Sequence, residues 1–245
     1  MARMAVIRAL CTAAICVAPG CSDDDKEGSK SDSGGGGDED GGGEADAGDG
    51  AAPGQGSMLS FFVSSDTDAD GNLGGLDGAD ARCQRLAEAV GAGDRTWRAY
   101  LSAENGGTPI HARDRIGSGP WYNAKGELVA ADLDALHART GDADVFLDEN
   151  GAKVNGQWEG SPTPNQHDVL TGSDASGHLI AGKTCSDWTS AEAGLNARVG
   201  HTDGLGPGRN DMPPYSSWQS SHENQSCSNT SPLGGAGKIY CFAAD

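Results

Sequence analysis

Positive charge is scarce in this chain. Its 245 residues hold 17 Lys and Arg against 36 Asp and Glu, a formal net charge of -19. Duplex binding relies on cations that neutralise phosphates, so nucleic acid is not an expected partner. Heparin-like polyanions and anionic headgroups meet the same repulsion. No apolar run reaches the ~18 residues of a membrane span. Aromatic residues make up only 5% of the chain. Cys-x-x-Cys is absent, and no Cys/His spacing matches a structural zinc site. His-Glu-x-x-His is absent too. Ser118 lies in Gly117-Ser118-Gly119 without the outer Gly of a nucleophile elbow. Gly204-Leu205-Gly206-Pro207-Gly208 contains Pro and follows no strand pattern, so it reads as a surface loop rather than a phosphate loop.

What is present is unevenly spread. Residues 22–57 hold 11 acidic side chains, 2 basic ones and 12 Gly, with almost nothing large and apolar. Such a segment cannot build a core and is expected to be a disordered tether. A Gly-rich coil of that length spans roughly 30–36 Å, and like charges extend it further. Every Trp, Tyr and Phe lies in residues 58–245, where 25 acidic and 13 basic side chains leave a net charge of -12. One folded domain is therefore expected there, large enough to bury roughly 70% of its unfolded surface.

The amino terminus reads as an export signal over residues 1–20. Arg3 and Arg8 form a basic start, Ala9 to Ala18 is a short apolar stretch, and small residues precede Cys21. Val17-Ala18-Pro19-Gly20-Cys21 resembles the processing box of bacterial lipoproteins, which implies cleavage before Cys21 and acylation of its thiol. Each buried CH₂ of such an anchor contributes about 0.8 kcal/mol. The expected location is the outer membrane or cell surface of a Gram-negative bacterium, with the lipid anchor as the only membrane contact.

Four cysteines remain in the domain: Cys83, Cys185, Cys227 and Cys241. An even number in an exported domain implies two disulfides, with three pairings open. Leu76, Ala79, Cys83, Leu86, Ala87 and Val90 recur at helical spacing over 77–90, with Asp77 as cap and Gly91 as stop. Residues 96–103 alternate, with Trp97, Ala99 and Leu101 on one face of a strand. A second helix is expected over 128–139, with Leu128, Ala131, Ala135 and Leu136 inward. Val145-Phe146-Leu147 runs into a hairpin turn at Asp148-Glu149-Asn150-Gly151, and Leu59 to Val63 looks like a strand. In a terminal strand over 238–243, Ile239, Cys241 and Ala243 share one face. Cys83 and Cys241 can thus join the first helix to the last strand, leaving Cys185 and Cys227 to close a loop-rich segment.

Gly78-Ala79-Asp80-Ala81-Arg82-Cys83, then Ala89-Val90-Gly91 and Thr96 to Ser102, resemble the opening of an endostatin-like domain, the carboxy-terminal type of collagens XV and XVIII. Arg113-Asp114-Arg115, Gly126-Glu127-Leu128, Ala135-Leu136, Val145-Phe146 with Asn150-Gly151, Gly172-Ser173-Asp174 with Gly177, Cys185, Trp188, Cys227 and Tyr240-Cys241 continue the resemblance in order over about residues 59–244. It implies an α+β, C-type-lectin-like fold: two helices, a twisted antiparallel sheet, long loops, and nested disulfides Cys83–Cys241 and Cys185–Cys227. Three departures stand out. The sugar-binding calcium triplets of C-type lectins have only Thr163-Pro164-Asn165 and Asp187-Trp188-Thr189 as counterparts. No His precedes His111, so the family's amino-terminal zinc site is missing. The acidic balance opposes heparin binding.

Two constellations hold metal-ligating types. Asp66, Asp68, Asp70, Asn72 and Asp77 have the spacing of a calcium loop, with Gly71 at the turn. The bland alternative is an acidic turn leading into the first helix. His167, Asp168, His201, Asp203 and His222 lie in the loop-rich carboxy-terminal half, and imidazoles with carboxylates suit zinc. If the Cys185–Cys227 bridge gathers their loops, three ligands could meet; the bland alternative is satisfied loop histidines. Trp158, Trp188, Trp218, Tyr122 and Tyr215 could stack on sugar rings, with Trp188 more at home in the core and Tyr215 at the surface. The leading expectation is a non-enzymatic module binding a protein or neutral glycan through Asn165, His167, Asp168, His201, Asp203, Tyr215 and His222. A metal-dependent enzyme using zinc or calcium, and a purely structural envelope component, are the alternatives.

Overall fold

The computed structural model describes residues 58–245. The expected signal peptide (1–20), Cys21 and the tether (21–57) lie outside the described residues. The described chain is a mixed α+β domain. Its elements run β1 (Phe61–Val63), α1 (Gly75–Ala89), β2 (Trp97–Ala99), β3 (Trp121–Tyr122), β4 (Leu128–Ala130), α2 (Leu133–Ala138), β5 (Asp168–Leu170), β6 (Arg198–His201), β7 (His222–Glu223) and β8 (Gly235–Ala243).

β8 organises the domain, and all nine of its residues are buried. Successive side chains of a strand point to opposite faces. Ile239, Cys241 and Ala243 therefore join one apolar cluster with Phe62, Trp97, Leu101 and α1. Tyr240 and Phe242 join the other, with Phe61, Tyr100, Trp121, Phe146 and Trp218. The main sheet runs β1-β8-β5-β6-β7, and β2 also pairs with β8. β1 and β2 run antiparallel to β8, whereas β5 runs parallel to it. The expected all-antiparallel sheet is thus corrected to a mixed one. A parallel neighbour needs a long crossover, and residues 171–234 supply it, carrying β6 and β7 on the way. β3 and β4 form a separate two-stranded sheet.

α1 forms where its spacing predicted. Ala79, Cys83, Leu86 and Ala87 are buried, with Leu76 and Val90 packed at the cluster's edge. Its N-cap is Gly74 in the left-handed region, not Asp77, which sits in the first turn. Gly91 closes it at φ 75, its N–H bonding to Glu88 O and that of Ala92 to Ala87 O; these are the paired bonds of a Schellman motif. The second helix differs from expectation. Leu128–Ala130 pairs with β3 instead, and Asp132 accepts the N–H of Ala135 at 2.8 Å to start a short helix afterwards. That side-chain cap divides the segment, so Leu128, Ala131 and Ala135 are exposed and only Leu136 is buried.

Both disulfides are present, Cys83–Cys241 and Cys185–Cys227, at sequence separations of 158 and 42. Chain-entropy reasoning gives about 4–5 kcal/mol for each as an upper limit. Trp188 and Trp218 are fully buried. The indole N–H of Trp188 donates to Ser102 O at 2.8 Å and that of Trp218 to Leu136 O at 3.0 Å. Neither is open to a sugar.

Candidate metal centre

The carboxy-terminal half of the sheet gathers the histidines. His167 precedes β5, Asp168 opens it, His201 ends β6 and His222 opens β7. The register sets Asp168 opposite His201 and Val199 opposite His222. Opposite and diagonal cross-strand neighbours are within reach of one another. Adjacent residues such as His167 and Asp168 normally face opposite sides of a strand. His167 stands just before β5, outside that alternation, and the register shift beside Asp168 lies in β8, where Gly235 and Lys238 face successive β5 residues.

Three imidazole nitrogens converge on one carboxylate oxygen. Asp168 Oδ1 lies 3.3 Å from His167 Nε2, 3.3 Å from His201 Nε2 and 3.6 Å from His222 Nε2. His167, Asp168 and His201 have ligand atoms within 4.8 Å of one another, the one such group among the described residues. Zn–N and Zn–O bonds of 2.0–2.2 Å place neighbouring atoms of a tetrahedron about 3.3–3.5 Å apart. The His167 and His201 contacts with Asp168 Oδ1 fall in that range.

The hydrogen bonding agrees. Both Asp168 oxygens and His201 Nε2 are buried without a hydrogen-bond partner, and Asp168 is 1% exposed. A buried unpaired carboxylate carries a large desolvation cost. The far sides of the rings are held instead. His167 Nδ1 is 2.8 Å from Asp203 Oδ1, and His222 Nδ1 donates to Glu223 O at 2.9 Å. His201 Nδ1 is 3.4 Å from Ser221 Oγ. Anchoring Nδ1 leaves the Nε2 lone pair free, as outer partners of ligating histidines do.

Electrostatics follow the same geometry. Burial pushes the Asp168 carboxyl up, but its contacts with His201 and His222 and the His167 charge outweigh this and hold it below the usual range. Burial also raises Asp203, and the His167 ring with the N–H groups of Gln157 and Leu205 brings it down below normal. Desolvation lowers His201 despite Asp168. For His222 desolvation acts the same way, but Asp168 wins and the ring is raised.

The three rings form the floor of an open cavity of about 300 Å³. Gln157, Asn165, Pro207, Tyr215, Glu223 and Leu233 complete its wall. Of the residues named from sequence, Asn165 and Tyr215 line this wall, while Asp203 stands behind His167 as its support. The Tyr215 ring lies parallel to His201, 6.0 Å away at 12°. Asn165 Oδ1 accepts the backbone N–H of His167 at 3.2 Å. Gln157, Pro207, Glu223 and Leu233 escaped sequence reasoning. Only Glu223 carried a signal, as the neighbour of His222; the rest arrive from loops.

The acidic loop is organised differently. Arg82, 8% exposed, binds Asp66 at 2.6 Å and Asp68 at 3.0 Å. Arg85 takes the other Asp66 oxygen at 2.6 Å. Asp70 accepts the Asn72 N–H and Asn72 accepts that of Gly74, both local turns. Asp77 lies in the first turn of α1. These five side chains form no convergent donor group of the kind found at Asp168.

No protein-family model matches the chain, and comparison with curated proteins returns no match.

Proposed function

We propose that this chain is an exported, lipid-anchored protein whose folded domain is a zinc-dependent hydrolase with a single metal centre. One observation carries the reading. Asp168 is a buried carboxylate with neither oxygen hydrogen-bonded, faced by three imidazoles whose other nitrogens are tied down. His167, Asp168 and His201 are the ligands in this reading, which leaves a fourth position open on the cavity side, and zinc suits that donor set. A structural zinc site is enclosed by its ligands; this one opens into a cavity, and the fold already has two disulfides to hold it. A zinc ion held there would supply Lewis-acid polarisation of a carbonyl and acidify a bound water. Hydrolysis delivers hydroxyl to the acyl carbon and a proton to the leaving nitrogen or oxygen. His222, Tyr215 and Glu223 are the protonatable wall groups outside the donor set.

The endostatin-like, C-type-lectin-like assignment remains part of the proposal. It is supported by the nested disulfides and by terminal strands that pair at the heart of the sheet. A metal-free module for a protein or glycan, and a purely structural envelope component, both leave the Asp168 oxygens without a hydrogen bond. Cys21 anchoring is tested by loss of membrane association in a Cys21→Ser variant. The centre is tested by metal analysis of the purified chain. The expected result is one zinc per chain, lost with a chelator and restored by zinc alone. A chain without metal that refuses added zinc would refute the reading.

A further inference from the structure

We propose that the pocket takes an uncharged carbonyl ligand of the peptide or ester class, bearing one aromatic or branched aliphatic group, and rejects phosphate and sulfate esters. The inference rests on the metal-centre reading above and names the substrate class of that site.

Charge argues first. Around the cavity Asp168, Asp203 and Glu223 supply three carboxylates, and Arg198, 3.3 Å from Glu223, supplies one guanidinium. The remaining charge of -2 is cancelled by one divalent ion. A neutral ligand preserves that balance. A dianion would leave water for a site already neutral, on a domain of net charge -12. No Lys or Arg lines the wall. Sites for phosphoryl transfer clamp the charged group with Arg or Lys as well as metal, and that clamp is missing here.

Shape argues second. Pro207, Tyr215 and Leu233 give the wall an apolar side. Gly206 backs the tyrosine so closely that a Cβ there would stand 2.4 Å from Tyr215 Cγ. The ring is therefore held as a flat surface. Leu233 is 43% exposed at the wall, an apolar group that a ligand would cover. Gln157 and Asn165 provide carboxamides, which recognise a neutral amide by donating and accepting without adding charge. A cavity of about 300 Å³ sits at the low end for ligand sites, with room for one ring or one side chain.

The test uses the zinc-loaded full chain and three metal-binding probes titrated by calorimetry: benzohydroxamate, acetohydroxamate and phenylphosphonate. Benzohydroxamate is expected to bind about tenfold tighter than acetohydroxamate, the order of one ring removed from water. It is also expected to bind about tenfold tighter than phenylphosphonate, which carries the same ring and a charged head. Leu233→Ser, at an exposed position, should shrink the preference for the ring while leaving zinc content unchanged. Gly206→Ala should do the same by displacing Tyr215. Phenylphosphonate binding as tightly as benzohydroxamate overturns the charge argument; equal binding of the two hydroxamates overturns the apolar wall. Either result with zinc still at one per chain sinks the ligand assignment alone. A chain that holds no zinc and binds no probe sinks the metal centre with it.

Discussion

The Asp66–Asp77 loop and the β5–β7 cluster are both rich in groups that bind metals, and they meet opposite fates. In the loop, a nearly buried Arg82 threads between Asp66 and Asp68 and satisfies them. In the cluster, the imidazoles are the only basic side chains among the described residues that pair with Asp168, and its oxygens make no hydrogen bond of good geometry. Carboxylate density is therefore a poor guide to a cation site. What matters is whether the protein has already supplied the counter-charge. A carboxylate paired with Arg has its charge and its lone pairs occupied, while an unpaired buried one needs a partner from outside.

That comparison is open to attack at several points. The largest effect is expected from Asp168→Ala, which should reduce zinc from one per chain to none by elemental analysis. Next in size, Arg82→Ala should cost about 2–4 kcal/mol in denaturant unfolding, since Asp68 and Gly237 O lose their donor and Asp66 keeps only Arg85. An effect below about 0.5 kcal/mol would make the loop a surface feature. Asp203→Asn should weaken zinc affinity by about 10–100-fold, the usual range for an outer partner of a ligating histidine. Affinity equal to the parent chain would show that His167 needs no orienting carboxylate. The smallest effect is expected from calcium: millimolar additions should leave the melting temperature unchanged, and a rise would restore the acidic loop as a cation site.

Several elements could be read from the chain before its structure. The α1 spacing put Cys83 inward, and alternation in the last strand put Cys241 on the face that meets it. One disulfide followed, and the other was left by elimination. The reading failed at 128–139. There Leu128-Val129-Ala130 has apolar residues that fit a strand as well as a helix, and the Asp132 cap decided between them. The parallel β5–β8 pairing was invisible because periodicity says nothing about strand direction. The donor residues were nameable, but the reason for their meeting was not. The expected agent was the Cys185–Cys227 bridge. The observed agent is the β5–β6–β7 ladder, which sets Asp168 against His201 and brings in His222.

The sequence alone determined what depends on composition and local period: an acidic chain poor in cations, one aromatic-rich domain after a segment without core residues, the first helix, the buried last strand, and cysteines in pairs. These follow from side-chain chemistry and from neighbours a few positions apart. Tertiary structure decided which charges are spent and which are left over. Arg82 reaches across to the acidic loop, the β5–β6–β7 ladder sets Asp168 against His201 and brings in His222, and three loops build a wall around them. The ladder and the wall depend on partners tens of residues apart, and a one-residue change in strand register would turn the ladder's side chains to the other face.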